Sequence, residues 1–245
     1  MERHGENSHR NRLIIHRDKA IVLLDETLEL KGLAKDLDGK LPIEEVQDLY
    51  SSFLFDLMSQ LVNLSSTSIL LCSENYLDRN RWFGAFGGKA ELRLLTTEDD
   101  ANFNIAESLF SEGYRRLVFV NCFNPIAPLP EIQVAFQLLQ LEDDTVVLGP
   151  AEERRWYLLG IKNLHPALLE RLVVGSREGI DDVVKAICGL DVLTFTVQLR
   201  YAINSISSIE RLRKEIQLRI RENQPYPHKT RERFFQLEHK YNLMM

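Results

Sequence analysis

The sequence has few of the residues, and none of the segments, that mark several large protein classes. It contains 12 glycines and 8 prolines among 245 residues and is 44% hydrophobic, which excludes a collagen-like, low-complexity or wholly disordered chain. No run approaches the ~18 consecutive apolar residues of a membrane-spanning helix. The N-terminus also lacks the apolar stretch of a secretory signal. We therefore expect a globular, cytoplasmic protein with no membrane partner.

Cysteine is scarce, and the familiar catalytic motifs are missing. Each of the three cysteines, Cys72, Cys122 and Cys188, lies in an apolar segment, which predicts buried free thiols. The chain has no Gly-x-Gly-x-x-Gly, no Walker loop, no Gly-x-Ser-x-Gly elbow and no His-Glu-x-x-His. No two of its six histidines are four residues apart, so a zinc site is not expected.

Charge is unevenly distributed along the chain. The formal net charge is −6, but residues 210–245 hold nine Lys or Arg against five Glu, a balance of +4, which leaves −10 for residues 1–209. Acids and bases alternate in this tail, which is typical of solvated helix faces. We therefore expect this tail to be a solvated surface that binds no nucleic acid. Binding of the tail to an acidic surface of a partner is the alternative.

Apolar runs alternate with helical patterns from Ala20 to Val197, after a polar leader at 1–11. Strands are predicted at 12–16, 20–24, 68–72, 91–95, 117–120, 145–148, 156–160 and 192–197. Helices are predicted at 43–61, 104–111, 130–141, 166–172, 180–188, 207–221 and 229–242. Such alternation is typical of parallel βαβ units whose strands are buried on both faces. The predicted fold is one α/β domain.

Two adjacent acids at the end of a predicted strand are candidates for chemistry. Glu152 or Glu153 could hold a divalent ion or act as a base, although neighbouring side chains of an extended chain point to opposite sides, so a shared site would use only one. Arg154 and Arg155 follow directly and compete as ion-pair partners.

Three segments resemble one family: Ser-Glu-Gly-Tyr-Arg-Arg-Leu-Val-Phe-Val at 111–120, Pro-Leu-Pro-Glu-Ile at 128–132, and Val-Val-Leu-Gly-Pro-Ala-Glu-Glu-Arg-Arg-Trp-Tyr-Leu-Leu-Gly-Ile at 146–161. They are similar to the bacterial glycosyltransferase-A-like family of nucleotide-diphospho-sugar transferase homologues, which is related to cofactor guanylyltransferases. The resemblance covers residues 20–213. It implies a three-layer, Rossmann-like α/β/α fold at 12–222 with a mostly parallel sheet and nucleotide at the strand carboxyl ends, followed by a C-terminal helical extension at 223–245.

The chain departs from this family at the positions that would bind Mg²⁺ or Mn²⁺. Asn-Cys-Phe at 121–123 stands where the family has Gly-Ser-Asp. The positions implied for metal-binding acids are Phe123, Ile126, Ala202 and Asn204. These ions prefer hard anionic oxygens, so we expect no metal cofactor.

Few residues remain for the nucleotide that the resemblance implies. Only Lys31 or Lys35 is left in the first loop to meet a phosphate, and Asn124 and Asn204 offer neutral carbonyls. The candidate nucleotide-binding residues are Lys31, Lys35, Asn124, Glu152, Glu153 and Asn204.

Three functions stay open. The first is a degenerate transferase that binds a nucleotide or nucleotide-sugar and serves as a binding or regulatory subunit, with its C-terminal helices as a surface for a protein partner or self-association. The second is an active, metal-independent glycosyl- or nucleotidyltransferase in which Lys31, Lys35, Arg154 or Arg155 replaces the metal charge. The third is a structural domain that binds no nucleotide.

The C-terminal segment contains the last two of the predicted helices, at 207–221 and 229–242. Ser207 and Glu210 have the spacing of a capping box. Ile209, Leu212 and Ile216 should then face the sheet, with Arg213 and Arg221 in water. In the last helix, a stripe of Phe234, Leu237 and Tyr241 needs a cover. We expect the chain's own surface to supply it, with another subunit as the alternative.

Overall fold

The computed structural model of the protein describes residues 18–25, 41–73, 84–86, 101–170, 179–203 and 205–241. Its strands are β1 Lys19–Asp25, β2 Ser68–Ser73, β3 Arg116–Asn121, β4 Thr145–Ala151, β5 Arg155–Ile161 and β6 Leu193–Thr196. Its helices are α1 Ile43–Leu61, α2 Ala101–Ser111, α3 Leu129–Leu138, α4 Pro166–Leu169, α5 Ile180–Cys188, α6 Ile206–Arg221 and α7 His228–Tyr241. The strands predicted at 12–16 and 91–95 lie outside the described residues.

The strands form one sheet in the order β2-β1-β3-β5-β4-β6. Neighbours are parallel except around β5, which is antiparallel to both β3 and β4. A short turn joins β4 to β5, and a parallel pair would need a crossover of a dozen or more residues. The mostly parallel sheet predicted from the sequence is confirmed, with one reversed strand.

Strands β1 to β5 are buried on both faces because each carries a run of consecutive apolar residues, whereas most of the edge strand β6 is exposed. In β1, Ile21 and Leu23 belong to a core shared with α1 and α3, while Ala20, Val22 and Leu24 belong to a second core shared with α2, α4 and α5. All five side chains are completely buried. These two cores make the three layers of the predicted α/β/α fold.

The C-terminal helices pack on α1 rather than on the sheet. Ile209, Leu212 and Ile216 of α6 are buried as predicted, but they join a third core with Val46 and Phe53 of α1 and with residues of α7. The expectation that they face the sheet is therefore wrong. The physical reason is that α1 is apolar on two sides, and its second half already covers the sheet.

The stripe of α7 is covered by the chain itself, as expected. Phe234 and Leu237 are buried in the third core, and Tyr241 packs against its rim. Arg213 is half-buried and pairs with Glu238 at 2.8 Å, so only part of its side chain meets water.

Two local predictions are wrong. The cap of α6 is Ser205, whose Oγ accepts from the Ser208 backbone N–H at 3.3 Å while Ser208 Oγ accepts from the Ser205 N–H at 3.0 Å. Ser207 lies inside the first turn, because Ser205 has the extended backbone that a cap requires. Cys188 is exposed at the end of α5, whereas Cys72 and Cys122 are buried.

Among the described helices, none combines the length and the apolar character that crossing a bilayer demands.

Candidate functional site at the carboxyl edge of the sheet

The carboxyl ends of five strands meet at one edge of the sheet, and the β4–β5 turn lies at the same edge because β5 runs in reverse. Asn121 ends β3 there, buried, with its side-chain amide donating to the Trp156 carbonyl at 3.1 Å. This contact ties β3 to the start of β5. Ligands of open α/β sheets bind in the crevice at this edge, so the residues that follow each strand are the candidates for a site.

Phe123 follows β3 and lies beneath a positive charge. The guanidinium carbon of Arg155 is 5.1 Å from the centre of the Phe123 ring, within range of a cation–π interaction. The Phe123 carbonyl accepts from the Ile203 N–H at 3.2 Å. The resemblance implies a metal-binding carboxylate at this position, and the structure has an aromatic ring and an arginine together instead.

The side-chain amide of Asn124 forms hydrogen bonds with neighbouring backbone groups. Its Oδ1 accepts from the Ile126 N–H at 3.0 Å, and its Nδ2 donates to the Tyr201 carbonyl at 3.4 Å. Ile126 is 3% exposed and Ala202 is 6% exposed. The structure therefore brings four predicted positions together, Phe123, Asn124, Ile126 and Ala202, and the last two are parts of the protein interior.

Lys31, Lys35 and Asn204 lie outside the described residues, so their predicted roles stay predictions.

Glu152 and Glu153 directly follow the end of β4, in the tight turn that joins it to β5. Glu153 and Arg154 have φ angles of 59° and 60°, and the Arg155 N–H points back to the Glu152 carbonyl at 3.4 Å. Two successive left-handed residues define a type I′ turn, which favours Asn and Gly. The resemblance aligns Asp-Gly-Gly with Glu153, Arg154 and Arg155, so this chain places side chains where the family has glycines.

The turn is fixed at both of its sides. Glu152 pairs with Arg211 of α6 at 2.9 Å. Arg154 pairs with Asp181, and its carbonyl accepts from the Ile180 N–H at 2.6 Å at the start of α5. The charge of Arg154 is thus held by an acid. The guanidinium of Arg155 lies over Phe123.

Gly149 is a glycine because of how closely β5 approaches β4. A Cβ atom at this position would lie 2.7 Å from the Leu158 Cβ and 2.8 Å from the Tyr157 ring. The ladder shifts register directly after it, between Gly149 and Pro150. The Gly-Pro-Ala motif of the resemblance therefore has a local structural explanation in this chain.

Arg200 and Arg211, which the sequence did not single out as site residues, connect the elements around the site. Arg200 pairs with Glu131 of α3 at 3.3 Å and donates to the Ile126 carbonyl at 3.0 Å. Arg211 stacks on the Tyr201 ring with its guanidinium carbon 4.0 Å from the ring centre. The sequence signal for them is weak, since each lies in a stretch where an arginine would also suit a solvated surface.

Two tyrosines line the same edge, of which Tyr157 is buried and Tyr201 is partly buried. Tyr157 donates to the Gln198 carbonyl at 2.8 Å, and Tyr201 donates to Glu215 at 2.6 Å. Burial, and then the hydrogen bond to Glu215, raise the pKa of Tyr201 above its ordinary value. Burial likewise raises the pKa of Tyr157. Both hydroxyls are therefore neutral donors near pH 7.

At the three implied metal positions that the structure describes, the side chains do not fit a divalent ion. Phe123, Ile126 and Ala202 offer no oxygen ligand, and the Asn124 amide already holds two backbone groups. Over the part of the chain that the structure describes, no three His, Cys, Asp or Glu side chains are grouped so that they could hold a metal. The chemistry of this edge is set by arginines and aromatic rings.

The fold that carries this site is that of the nucleotide-diphospho-sugar transferases and the related cofactor nucleotidyltransferases. A protein assigned as a nucleotide-diphospho-sugar transferase from Desulfovibrio desulfuricans superposes with a TM-score of 0.67 at 17% identity, over 89% of this chain and 98% of its own. The 4-diphosphocytidyl-2C-methyl-D-erythritol synthase of Anaerococcus prevotii gives 0.53 at 11% identity, over 83% and 98%. No protein-family model and no curated protein sequence matches this chain.

Proposed function

We propose that this protein binds a nucleotide or nucleotide-sugar at the carboxyl edge of its sheet without a divalent ion, and acts as a binding or regulatory subunit rather than as a metal-dependent transferase. The observation that carries the proposal is the contact between Arg155 and Phe123. It puts a permanent positive charge where the resemblance implies a metal-binding carboxylate.

The chemistry of the diphosphate supports this assignment. A guanidinium is planar, stays charged at any physiological pH and suits phosphate oxygens. Metal ions at such sites neutralise the charge that develops on a departing diphosphate, and a single arginine supplies less charge than a divalent cation. Binding without metal-dependent turnover follows from that difference.

The fold supports the choice of ligand class. The similar structures include one assigned as a nucleotide-diphospho-sugar transferase and one that is a 4-diphosphocytidyl-2C-methyl-D-erythritol synthase. This chain covers nearly the full length of both. Lys31, Lys35 and Asn204 would complete the contacts to phosphate and base under this proposal.

A metal-independent transferase is the second candidate, and the same arginine favours it. A preorganised cation beside a leaving group stabilises developing negative charge without further reorganisation. In this version Arg155 would have a catalytic role, and the loss of its charge would abolish turnover.

Calorimetric titration with UDP-, GDP- and CDP-sugars, with and without Mn²⁺, tests the proposal. We expect one of the three to bind with an affinity that Mn²⁺ leaves unchanged, and Arg155→Gln to weaken it at least about tenfold, or 1.4 kcal/mol. Arg154→Gln is the matched control and should bind as the wild type does, since Arg154 is held by Asp181. Binding that requires Mn²⁺, or no binding of any sugar nucleotide, would overturn the proposal.

Turnover separates the two candidates. If nuclear magnetic resonance shows the bound sugar nucleotide unchanged after prolonged incubation with acceptor extracts, the binding subunit stands. Transfer of the sugar to an acceptor with release of the nucleoside diphosphate by the wild type, but not by Arg155→Gln, would establish the metal-independent transferase.

A further inference from the structure

Strand β6 forms one edge of the sheet, and within the described residues no strand pairs with its outer side. The stretch from Val192 to Leu199 has no charged residue and no proline. Leu193 is 43% exposed, and Thr194 and Thr196 are exposed as well. Monomeric proteins often protect a sheet edge with a short strand, with lysine or with proline. Strand β6 has only four residues, but neither it nor the residues up to Leu199 include a lysine or a proline.

The backbone of β6 presents its free hydrogen-bonding groups at two threonines. The N–H groups of Leu193 and Val197 donate inward, to the Asp144 carbonyl just before β4 at 2.8 Å and to the Leu148 carbonyl of β4 at 3.0 Å. Backbone groups of an extended strand alternate in direction. The N–H and C=O groups of Thr194 and Thr196 therefore point away from the sheet.

The sequence of this edge is nearly the same in both directions. Around Phe195 it reads Leu-Thr-Phe-Thr-Val. An antiparallel copy centred on Phe195 would place Thr194 opposite Thr196 of the second copy, and Leu193 opposite Val197 of the second copy. Similar side chains would meet at each pair, which is the self-complementarity that a two-fold interface requires.

The hydrogen-bond pattern fits the same register. In an antiparallel ladder, the residues of one pair exchange both of their hydrogen bonds and the residues of the next pair exchange none. Thr194 and Thr196 both point outward, so each can exchange bonds with its counterpart. Phe195 falls on the symmetry axis, in a pair without hydrogen bonds, where side chains lie closest.

Each face of β6 would also continue into the same face of β6 in the second copy. Val147 of β4 lies beside Phe195, and both Phe195 and Val197 pack against the core under α1 and α3. Leu193 shares their face, because side chains alternate along a strand. Pairing with a copy would extend this apolar face and cover Leu193, while the threonines would meet on the other face.

We infer that a second copy of this chain pairs with β6 in antiparallel orientation about a two-fold axis at Phe195, which joins the two sheets into one continuous sheet. This inference does not depend on the proposed nucleotide site. An unrelated extended peptide is the competing occupant, and it would not show the two-fold register.

Charged residues introduced at Thr194 and Thr196 test both the identity of the partner and the register of the pairing. Light scattering of the wild type in the micromolar range should give twice the chain mass of 28.4 kDa. Thr194→Lys/Thr196→Lys puts like charges opposite each other and should give a monomer, as should Thr194→Glu/Thr196→Glu. Thr194→Lys/Thr196→Glu, the matched control, places opposite charges at each pair and should remain a dimer.

A mixture of the two like-charged variants gives a second outcome. It should restore a dimer that contains one chain of each kind, which native mass spectrometry resolves by mass. Circular dichroism should show that every variant is folded, since both positions are exposed.

Crosslinking measures the register directly. In a Cys188→Ser background, Leu193→Cys/Val197→Cys should form an intermolecular disulfide on mild oxidation, because pairs without hydrogen bonds bring Cα atoms within disulfide range. Each single cysteine variant lies opposite an aliphatic side chain and should not crosslink. A monomeric wild type, a dimer that survives both like-charged variants, or equal crosslinking by the single variants would overturn the inference.

Discussion

The Asp56 carboxylate of α1 accepts the backbone N–H of Thr230 at 2.7 Å, in the first turn of α7. It also accepts the Lys229 N–H at 3.1 Å, so one buried acid satisfies two amides at the start of that helix. Glu45 lies three helical turns earlier on α1 and binds Lys240 at 2.5 Å near the other end of α7. The two helices are antiparallel, and an acid of α1 fixes each end of the contact.

The Glu45 contact predicts a pH dependence. The hydrogen bond from Lys240 is the largest influence and lowers the pKa of Glu45 from its ordinary value of 4.5, assisted by Tyr241 and by the charge of Arg233, although burial opposes the shift. A carboxyl with a lowered folded pKa stabilises the fold fully above its unfolded pKa, and that stability is lost as the pH falls through the folded value. The contribution of Glu45 should therefore be complete at neutral pH.

The variant Glu45→Gln tests this dependence. At pH 7 we expect it to unfold with a free energy about 1–3 kcal/mol below that of the wild type, because charged donors lose their acceptor. The difference should shrink below pH 4.5. Urea unfolding of both proteins across this range measures it, with the exposed Glu44→Gln as control. A constant difference at every pH would contradict the assignment.

The neighbouring residues Phe234 and Phe235 test how α7 is docked. Phe234 is 5% exposed in the third core and Phe235 is 62% exposed. We expect Phe234→Ala to cost about 3–5 kcal/mol of unfolding free energy and Phe235→Ala to stay within about 0.5 kcal/mol. Neither substitution should change the oligomeric state measured by light scattering. Equal losses from both would show that α7 is not held by this face.

Much of the fold is predictable because it rests on local patterns. The unbroken apolar run of β1 predicts a strand buried on both sides, and the spacing of apolar residues in α1 predicts its bounds. Which neighbour covers each apolar face is not local information. The stripe of α6 shows this, because its periodicity is correct while its partner is α1 instead of the sheet.

The candidate site is less predictable for a similar reason. Phe123 follows β3 and Arg155 begins β5, and only the reversed direction of β5 brings them together. The turn at Glu153 and Arg154 contains neither Asn nor Gly, so the sequence lacks the usual signal for its left-handed backbone. The resemblance identifies the positions, and the contacts among them come from the fold.

That turn carries strain which substitution can relieve. A left-handed backbone costs a non-glycine residue roughly 1–2 kcal/mol, and Glu153 and Arg154 both have it. We expect Glu153→Asn/Arg154→Gly to raise the unfolding free energy by about 1 kcal/mol, net of the lost pair with Asp181. Arg154→Ala removes the same pair without relieving the backbone and should be no more stable than the wild type. Thermal unfolding of the three proteins compares them.

The close approach at Gly149 predicts a local clash. Gly149→Ala would place a methyl group 2.7 Å from the Leu158 Cβ, and overpacking of this kind costs about 1–3 kcal/mol. Gly84→Ala is the control, because an added Cβ there meets nothing within 4 Å. Urea unfolding should show a large loss for the first variant and a small change for the second. A Gly149→Ala protein as stable as the wild type would contradict the packing of Tyr157 and Leu158 over this position.

Phe123 stands at one of the positions where the resemblance implies a metal-binding carboxylate. Phe123→Asp restores one carboxylate, but Ile126 and Ala202 remain apolar and buried, and Arg155 would pair with the new acid because it already lies over that side chain. A divalent ion needs several oxygen ligands, so titration calorimetry should detect no strong Mn²⁺ binding in this variant. Phe123→Asp/Arg155→Gln removes the competing cation and serves as the control. It should bind Mn²⁺ no more than weakly, since a single acid is still too few ligands. Tight Mn²⁺ binding by Phe123→Asp alone would show that other ligands are already in place, and would contradict the proposal of a metal-free site.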